Sequence, residues 1–320
     1  RTVHWKSKMT EKTATGYGYG KTILLGEHFV VQGLPAIAAG LNKTTICRIE
    51  QAPKFEVADN RPETPGYKVE KREQQKQAHE LIFRKLGIDP NKTPFRIILE
   101  GELIAISGVG ASAADCVSTA RALNGFFNLG LDDDAINDAG FAGEKAYAGT
   151  PSGIDNTVST FGGTIWFQKG TPPLVEKIHT DLKLYIVLID SGKTSDTQTV
   201  VADVKRLKDA KPEWFAGITK QYERLASEAR NALVANDLKK FAQQMNANHQ
   251  LLQQITVSNK DLDAIVDSAL NSGALAAKMT GTGRGGLVIA LCKDSNSQSR
   301  VASEVQKKTG FTTQTTTIGK

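Results

Sequence analysis

Two glycine-dense loops that abut apolar runs restrict what this chain can fold into more than any other feature. The first, Gly108, Val109, Gly110, Ala111 and Ser112, follows a strand-like segment at 94–99 and opens an Ala/Leu-spaced helical stretch at 111–127. The second places Gly281, Gly283, Gly285 and Gly286 between a helical region and the apolar strand 287–291. Glycine loses more backbone entropy on folding than alanine, so such density marks places where the chain turns tightly or another group comes close. A flexible linker would share the composition, but linkers rarely run straight into apolar strands. The succession of strand, glycine loop and helix points to a mixed α/β chain.

The 320 residues, 40% hydrophobic and 23% charged, suffice for two domains of ordinary size. Paired strands are expected over 21–49, a proline-containing surface excursion over 51–67, a helix over 136–147, a turn at 149–153 and a strand at 164–168. A turn cluster at 170–173 precedes a buried-strand run at 182–190, and long amphipathic helices follow at 197–210, 212–235, 237–254 and 261–272. This change of pattern divides the chain into domains 1–180 and 181–320.

The longest apolar runs, 184–189 and 287–292, are about a third of the roughly 20 residues a membrane helix needs, so no membrane span is expected. Cys47, Cys116 and Cys292 have neither disulfide nor zinc spacing, which suggests a reducing compartment, the cytoplasm. Another organelle stays open, because no N-terminal address can be read from a sequence that starts at Arg1. A net charge of +6 is small for this length, and basic residues are not interleaved with aromatics; an anionic small substrate is expected rather than nucleic acid.

Four segments offer chemistry. At Gly108, Val109, Gly110, Ala111 and Ser112, the backbone could approach a phosphate at a helix start, where free N–H groups carry partial positive charge, and the Ser112 hydroxyl could bind a metal. The Walker lysine is missing, and a capped helix with Ser112 as N-cap and Asp115 in the first turn explains the same residues. Glu144 near a helix end and Asp155 after a Pro-Ser-Gly turn could share a metal-nucleotide site, one carboxylate on the metal and one accepting a proton, though such carboxylates are commonplace on surfaces. Lys21 could offer an ammonium to a phosphate or an alkoxide, and Glu27 with His28 could contact a hydroxylated substrate; lone residues of these types are usually only surface. The glycine loop at 281–286 is the fourth.

In their order along the chain these segments resemble the GHMP kinases, named for galactokinase, homoserine, mevalonate and phosphomevalonate kinases, and within them the mevalonate kinases most closely. Residues 21–33, with Gly26, Glu27 and His28, look like the first family motif, 108–114 the second, and 273–290 the third. Residues 144–163 are similar to the segment holding the family's acidic metal ligand and aspartate base, and 246–252 to a helix of its second domain. The resemblance implies a two-domain α/β (α+β) fold, ribosomal-S5-like then ferredoxin-like, acting on ATP and mevalonate with Mg2+. By the same resemblance, Asp155 is the base with Lys21 beside it, Ser112 and Glu144 bind the metal, Gly108 to Ser112 wrap the ATP phosphates, and Glu27, His28 and Thr197 are on the mevalonate side. A homodimer is compatible with it; phosphomevalonate kinase and a non-catalytic ligand sensor on the same fold are the alternatives. The chain departs from the family at Ala111, where a serine is usual, at Ile104 and Ala105, where proline is expected, at Asp115, where an uncharged residue is common, and at Arg284, where glycine is the rule. Arg284 is expected to lie in solvent.

Overall fold

The computed structural model describes residues 12–106, 108–149, 151–193 and 195–319; Thr150, inside the turn read at 149–153, and Ser107 lie outside them. The elements run β1 (Thr13–Leu25), β2 (Ala36–Gln51), β3 (Glu56–Asp59), α1 (Tyr67–Leu86), β4 (Phe95–Gly101), α2 (Ala111–Phe127), α3 (Asp133–Ala148), α4 (Ile154–Phe161), β5 (Thr164–Gln168), β6 (Leu174–Lys177) and β7 (Leu184–Asp190). They continue with α5 (Thr197–Ala210), α6 (Pro212–Val234), α7 (Leu238–Gln254), α8 (Lys260–Asn271), β8 (Ala276–Thr280), β9 (Leu287–Cys292), α9 (Ser295–Thr309) and β10 (Thr313–Ile318). The chain is a mixed α/β protein.

By contact it forms two compact units, each discontinuous in sequence. In the first, which among the described residues takes 12–18, 44–105 and 112–151, the second half of β2 pairs antiparallel with β4, and β3 pairs parallel with β4 on its other side. Helix α2 puts Cys116, Val117, Ala120 and Leu123 into a core shared with Ile82, Phe83, Phe95 and Ile97. Phe55, Phe83 and Phe95 meet edge to face, the arrangement the ring quadrupoles favour. Strand β3 corrects the reading of 51–67 as an excursion only. Its four residues carry no apolar alternation, and the strand exists because β4 offers it a backbone ladder.

The second unit takes 19–43, 106–111 and 152 onward. Here the first half of β2 pairs antiparallel with β5, and Ile154 and Val158 of α4 pack with Ala36, Ala38, Ile165 and Phe167. Its other sheet has the order β10-β7-β9-β8, with all neighbours antiparallel. A strand, a helical connection, a hairpin, a helix and an edge strand in that spatial order make the split βαβ arrangement of a ferredoxin-like fold. Helices α8 and α9 pack on this sheet, and α7 lies against β8. Among the described residues no helix is long and apolar enough to cross a membrane.

Candidate active site

From Gly20 onward β1 is buried at every residue, so Lys21, 5% exposed, sits in mid-strand rather than opening it and needs a counter-charge. Asp155 supplies one, with its carboxylate 2.9 Å from the ammonium. It stands in the first turn of α4, where the helix dipole favours an anion, just after Gly153 in left-handed backbone. Its side chain keeps 33% exposure against 6% for Lys21, so the cation is fixed and the carboxylate is open.

The glycine loop lies against the same lysine. Lys21 donates its backbone N–H to the carbonyl of Val109 at 2.7 Å, and a Cβ on Gly110 would stand 2.9 Å from the Cβ of Lys21. Gly110 also has a φ of 68°, so both space and backbone require glycine. The loop thus brings Val109 and Gly110 against Lys21, the partner of Asp155, directly before α2 begins at Ala111.

The turn at Gly26 separates its two polar side chains. Glu27 is buried rather than presented on the surface, in an ion pair with Lys278 that has no exposure on either side. Lys278 was not singled out in the sequence. Its signal was there: a lysine inside the buried strand β8 must have a partner. Burial lowers its pKa, and Glu27 opposes that shift. His28, at a φ of 61°, donates Nε2–H to the carbonyl of Thr282 at 2.6 Å, because a carbonyl only accepts. Its Nδ1 is buried without a hydrogen bond, and burial lowers its pKa despite the Thr282 bond and the Glu27 charge. A neutral His28 therefore holds one acceptor ready for a hydroxyl.

The third loop continues this side of the site. The hydroxyl of Thr197, at the start of α5, is 2.8 Å from that of Thr282. Gly283, with a φ of 84°, passes so close to the carbonyl of Val257 that a Cβ would be 2.2 Å from it. Arg284 has a φ of 56°, a backbone that costs a residue with a Cβ about 1–2 kcal/mol. Its side chain corrects the expectation of solvent: Nε donates to the carbonyl of Thr256 at 3.0 Å, and the guanidinium pairs with Asp203 at 2.5 Å.

Ser112 and Glu144 belong to the first unit. Helix α2 starts at Ala111, so Ser112 is inside its first turn, and the reading of Ser112 as N-cap does not hold. Asp115 does not serve the helix start either. It is fully buried and accepts from Gln75 and Thr119, with His79 at 2.9 Å and Arg61 at 3.6 Å. Burial raises its pKa, but His79, Arg61 and the hydrogen bonds outweigh burial and hold it at about 2. Glu144, on α3, is 4% exposed.

The family described as GHMP kinases N terminal domain matches residues 74–163, and that described as GHMP kinases C terminal matches 229–310. The mevalonate kinase of Thermococcus sibiricus is 32% identical over 310 residues, covering 89% of this chain and 90% of that protein. That of Thermococcus gammatolerans is 33% identical over 312 residues, with the same coverage. Among solved structures, L. major mevalonate kinase in complex with R-mevalonate matches with a TM-score of 0.93 at 38% identity, covering 98% of each chain.

Proposed function

Because the chain belongs to the GHMP kinases, and within them to the mevalonate kinase family, we propose that it transfers the γ-phosphoryl group of ATP to the primary hydroxyl of mevalonate, giving 5-phosphomevalonate for isoprenoid and sterol precursor synthesis. The observation that carries this reading is the pair of Lys21 and Asp155, 2.9 Å apart beside the Gly108–Ala111 loop. Asp155 takes the hydroxyl proton while the Lys21 ammonium favours the alkoxide. The loop N–H groups, at a helix start, hold the phosphates. Phosphoryl transfer asks for positioning and charge neutralisation rather than a protein nucleophile. His28 Nδ1 and the hydroxyls of Thr197 and Thr282 orient the acceptor, while Glu27 keeps that turn in place through Lys278.

Mg2+ fits the donors present. Ser112 and Glu144 offer a hydroxyl and a carboxylate, hard oxygens of the kind this ion prefers, and it ordinarily takes few protein ligands besides phosphate and water. When bound, the ion neutralises phosphate charge. Domains 1–180 and 181–320 are part of the proposal; the two family matches fall on either side of that boundary. So are a cytoplasmic location, in keeping with three buried free thiols, and a homodimer.

An assay of ADP release with mevalonate, phosphomevalonate and galactose tests the reading. Release that depends on mevalonate and is faster with it than with either other alcohol is expected. Preference for phosphomevalonate, or binding without turnover, would overturn it.

A further inference from the structure

Arg284 holds a backbone conformation that glycine would adopt without steric strain, in a loop otherwise made of glycines and Thr282. What its side chain does there has to be looked for in its contacts. Nε and one terminal nitrogen reach the carbonyl and hydroxyl of Thr256, at 3.0 and 3.3 Å, and Thr256 is itself in left-handed backbone, with a φ of 64°. The other terminal nitrogen pairs with Asp203.

Asp203 is six residues beyond Thr197 on α5. This helix of 14 residues buries only Val200 and Val204, so apolar packing gives it little hold. Two polar links tie it to the third loop: Thr197 to Thr282 at its start, and Asp203 to Arg284 nearly two turns later. The carbonyl of Thr282 also accepts from His28. The groups so connected are those on the acceptor side, and not the loop that lies against Lys21.

We propose that Arg284 and Asp203 form a clasp that holds α5 on the third glycine loop and thereby positions Thr197 and Thr282 for the phosphoryl acceptor. Arg284 is then a positioning residue for mevalonate and not a phosphate ligand. The inference rests on the kinase reading above. Arg206, one turn along α5, also pairs with Asp203 but is 75% exposed, reaches nothing on the loop, and serves as a control.

Arg284→Gly separates the clasp from the backbone, since glycine relieves the strained φ while removing the guanidinium. The KM for mevalonate should rise about fivefold or more in Arg284→Gly and in Asp203→Asn, and the double variant should be no worse than either, the signature of two residues acting as one pair. The KM for ATP and kcat should stay within about twofold, and the exchanged pair Asp203→Arg with Arg284→Asp should regain part of the loss, since Asp tolerates left-handed backbone. Arg206→Ala should change none of these. A rise in the KM for ATP instead would make Arg284 a phosphate ligand, which the nearness of Gly281 to Gly108 makes the sharpest contrary outcome. Multiplying effects in the double variant would likewise defeat the clasp. No turnover of mevalonate by the unaltered protein would remove the kinase reading itself, and the clasp with it.

Discussion

Lys21 and Asp155 form an unequal pair: one charge is buried, the other keeps a third of its side-chain surface for an incoming hydroxyl. Asp155→Asn keeps the shape and removes the proton acceptor, so kcat should fall by a factor on the order of 10² or more while ATP binding, followed by calorimetry, hardly changes. A variant with more than a tenth of the original kcat would show that the base is another group. For the metal, Glu144→Gln should raise the Mg2+ concentration for half-maximal rate, because an amide oxygen binds a hard cation less well than a carboxylate, and Ser112→Ala should act in the same direction. Mg2+ titrations that coincide with the unaltered protein in both variants would place the ion elsewhere. At this scale the sequence revealed residue types, and burial decided their use. Glu27 read as a polar contact because the turn was visible; that it faces Lys278 depends on β8 lying beside it, 251 residues later in the chain. Arg284 shows the same limit, since a long cation in a glycine loop gives no sign of which carbonyl and carboxylate it will reach.

Helices announced themselves better. The stretch 111–127 and the run 197–210 are helical to the residue, because small and apolar positions recur at helical spacing and glycine or Asp196 marks the start. Asp196 caps α5 by accepting from the backbone of Thr199 at 2.9 Å. Helix α4 and strands β3 and β6 carry too few residues for periodicity to speak; β3 and β6 exist through their ladders with β4 and β5, and α4 through its packing on Ala36, Ile165 and Phe167. The glycine loop before α2 was legible as a loop, while its reason, the passage over Lys21, was not. That reason can be tested by comparing Gly110→Ala with Gly130→Ala. Both positions have a φ of 68°, but an added Cβ meets nothing within 4 Å at Gly130 and meets Lys21 at 2.9 Å at Gly110. The backbone cost is shared, about 1 kcal/mol or somewhat more, so both variants should lose a few degrees of Tm. Only Gly110→Ala should lower kcat/KM, by about tenfold or more, since shifting a positioned ammonium by a fraction of an ångström is costly. Equal activities would mean that the loop needs glycine for its conformation alone.

For the whole molecule the informative variable is acidity, because the second unit buries a histidine that resists protonation. His249, 5% exposed on α7, accepts the backbone N–H of Met279 at Nδ1 at 3.5 Å, so its proton is on Nε2, facing Asp263 at 3.2 Å. Protonating it would set an N–H against the N–H of Met279 and add a charge in a buried place near Lys278. Burial accordingly lowers its pKa from 6.5 to about 4, with Asp263 and Asp267 opposing the shift and Lys278 adding to it. A folded pKa below the unfolded one means that the unfolded chain binds more protons between these values, so stability is complete above pH 6.5 and declines as pH falls toward 4. The loss amounts to roughly 3 kcal/mol for this residue once pH is below about 4. His28 acts in the same direction, its pKa also being lowered by burial. Asp115 acts later, because a carboxyl held at about 2 against an ordinary 3.8 withdraws its contribution only as pH falls between those values. Urea unfolding at pH 7, 6, 5 and 4 should show stability falling across this range, with a shallower fall in His249→Asn, whose Oδ1 can take the place of Nδ1 as acceptor for Met279 but does not titrate. The slopes must be compared and not the values at pH 7, since the smaller side chain leaves a void that weakens the protein at every pH. Parallel slopes in the two proteins would mean that His249 is protonated as readily folded as unfolded, and that the acid lability lies in other groups.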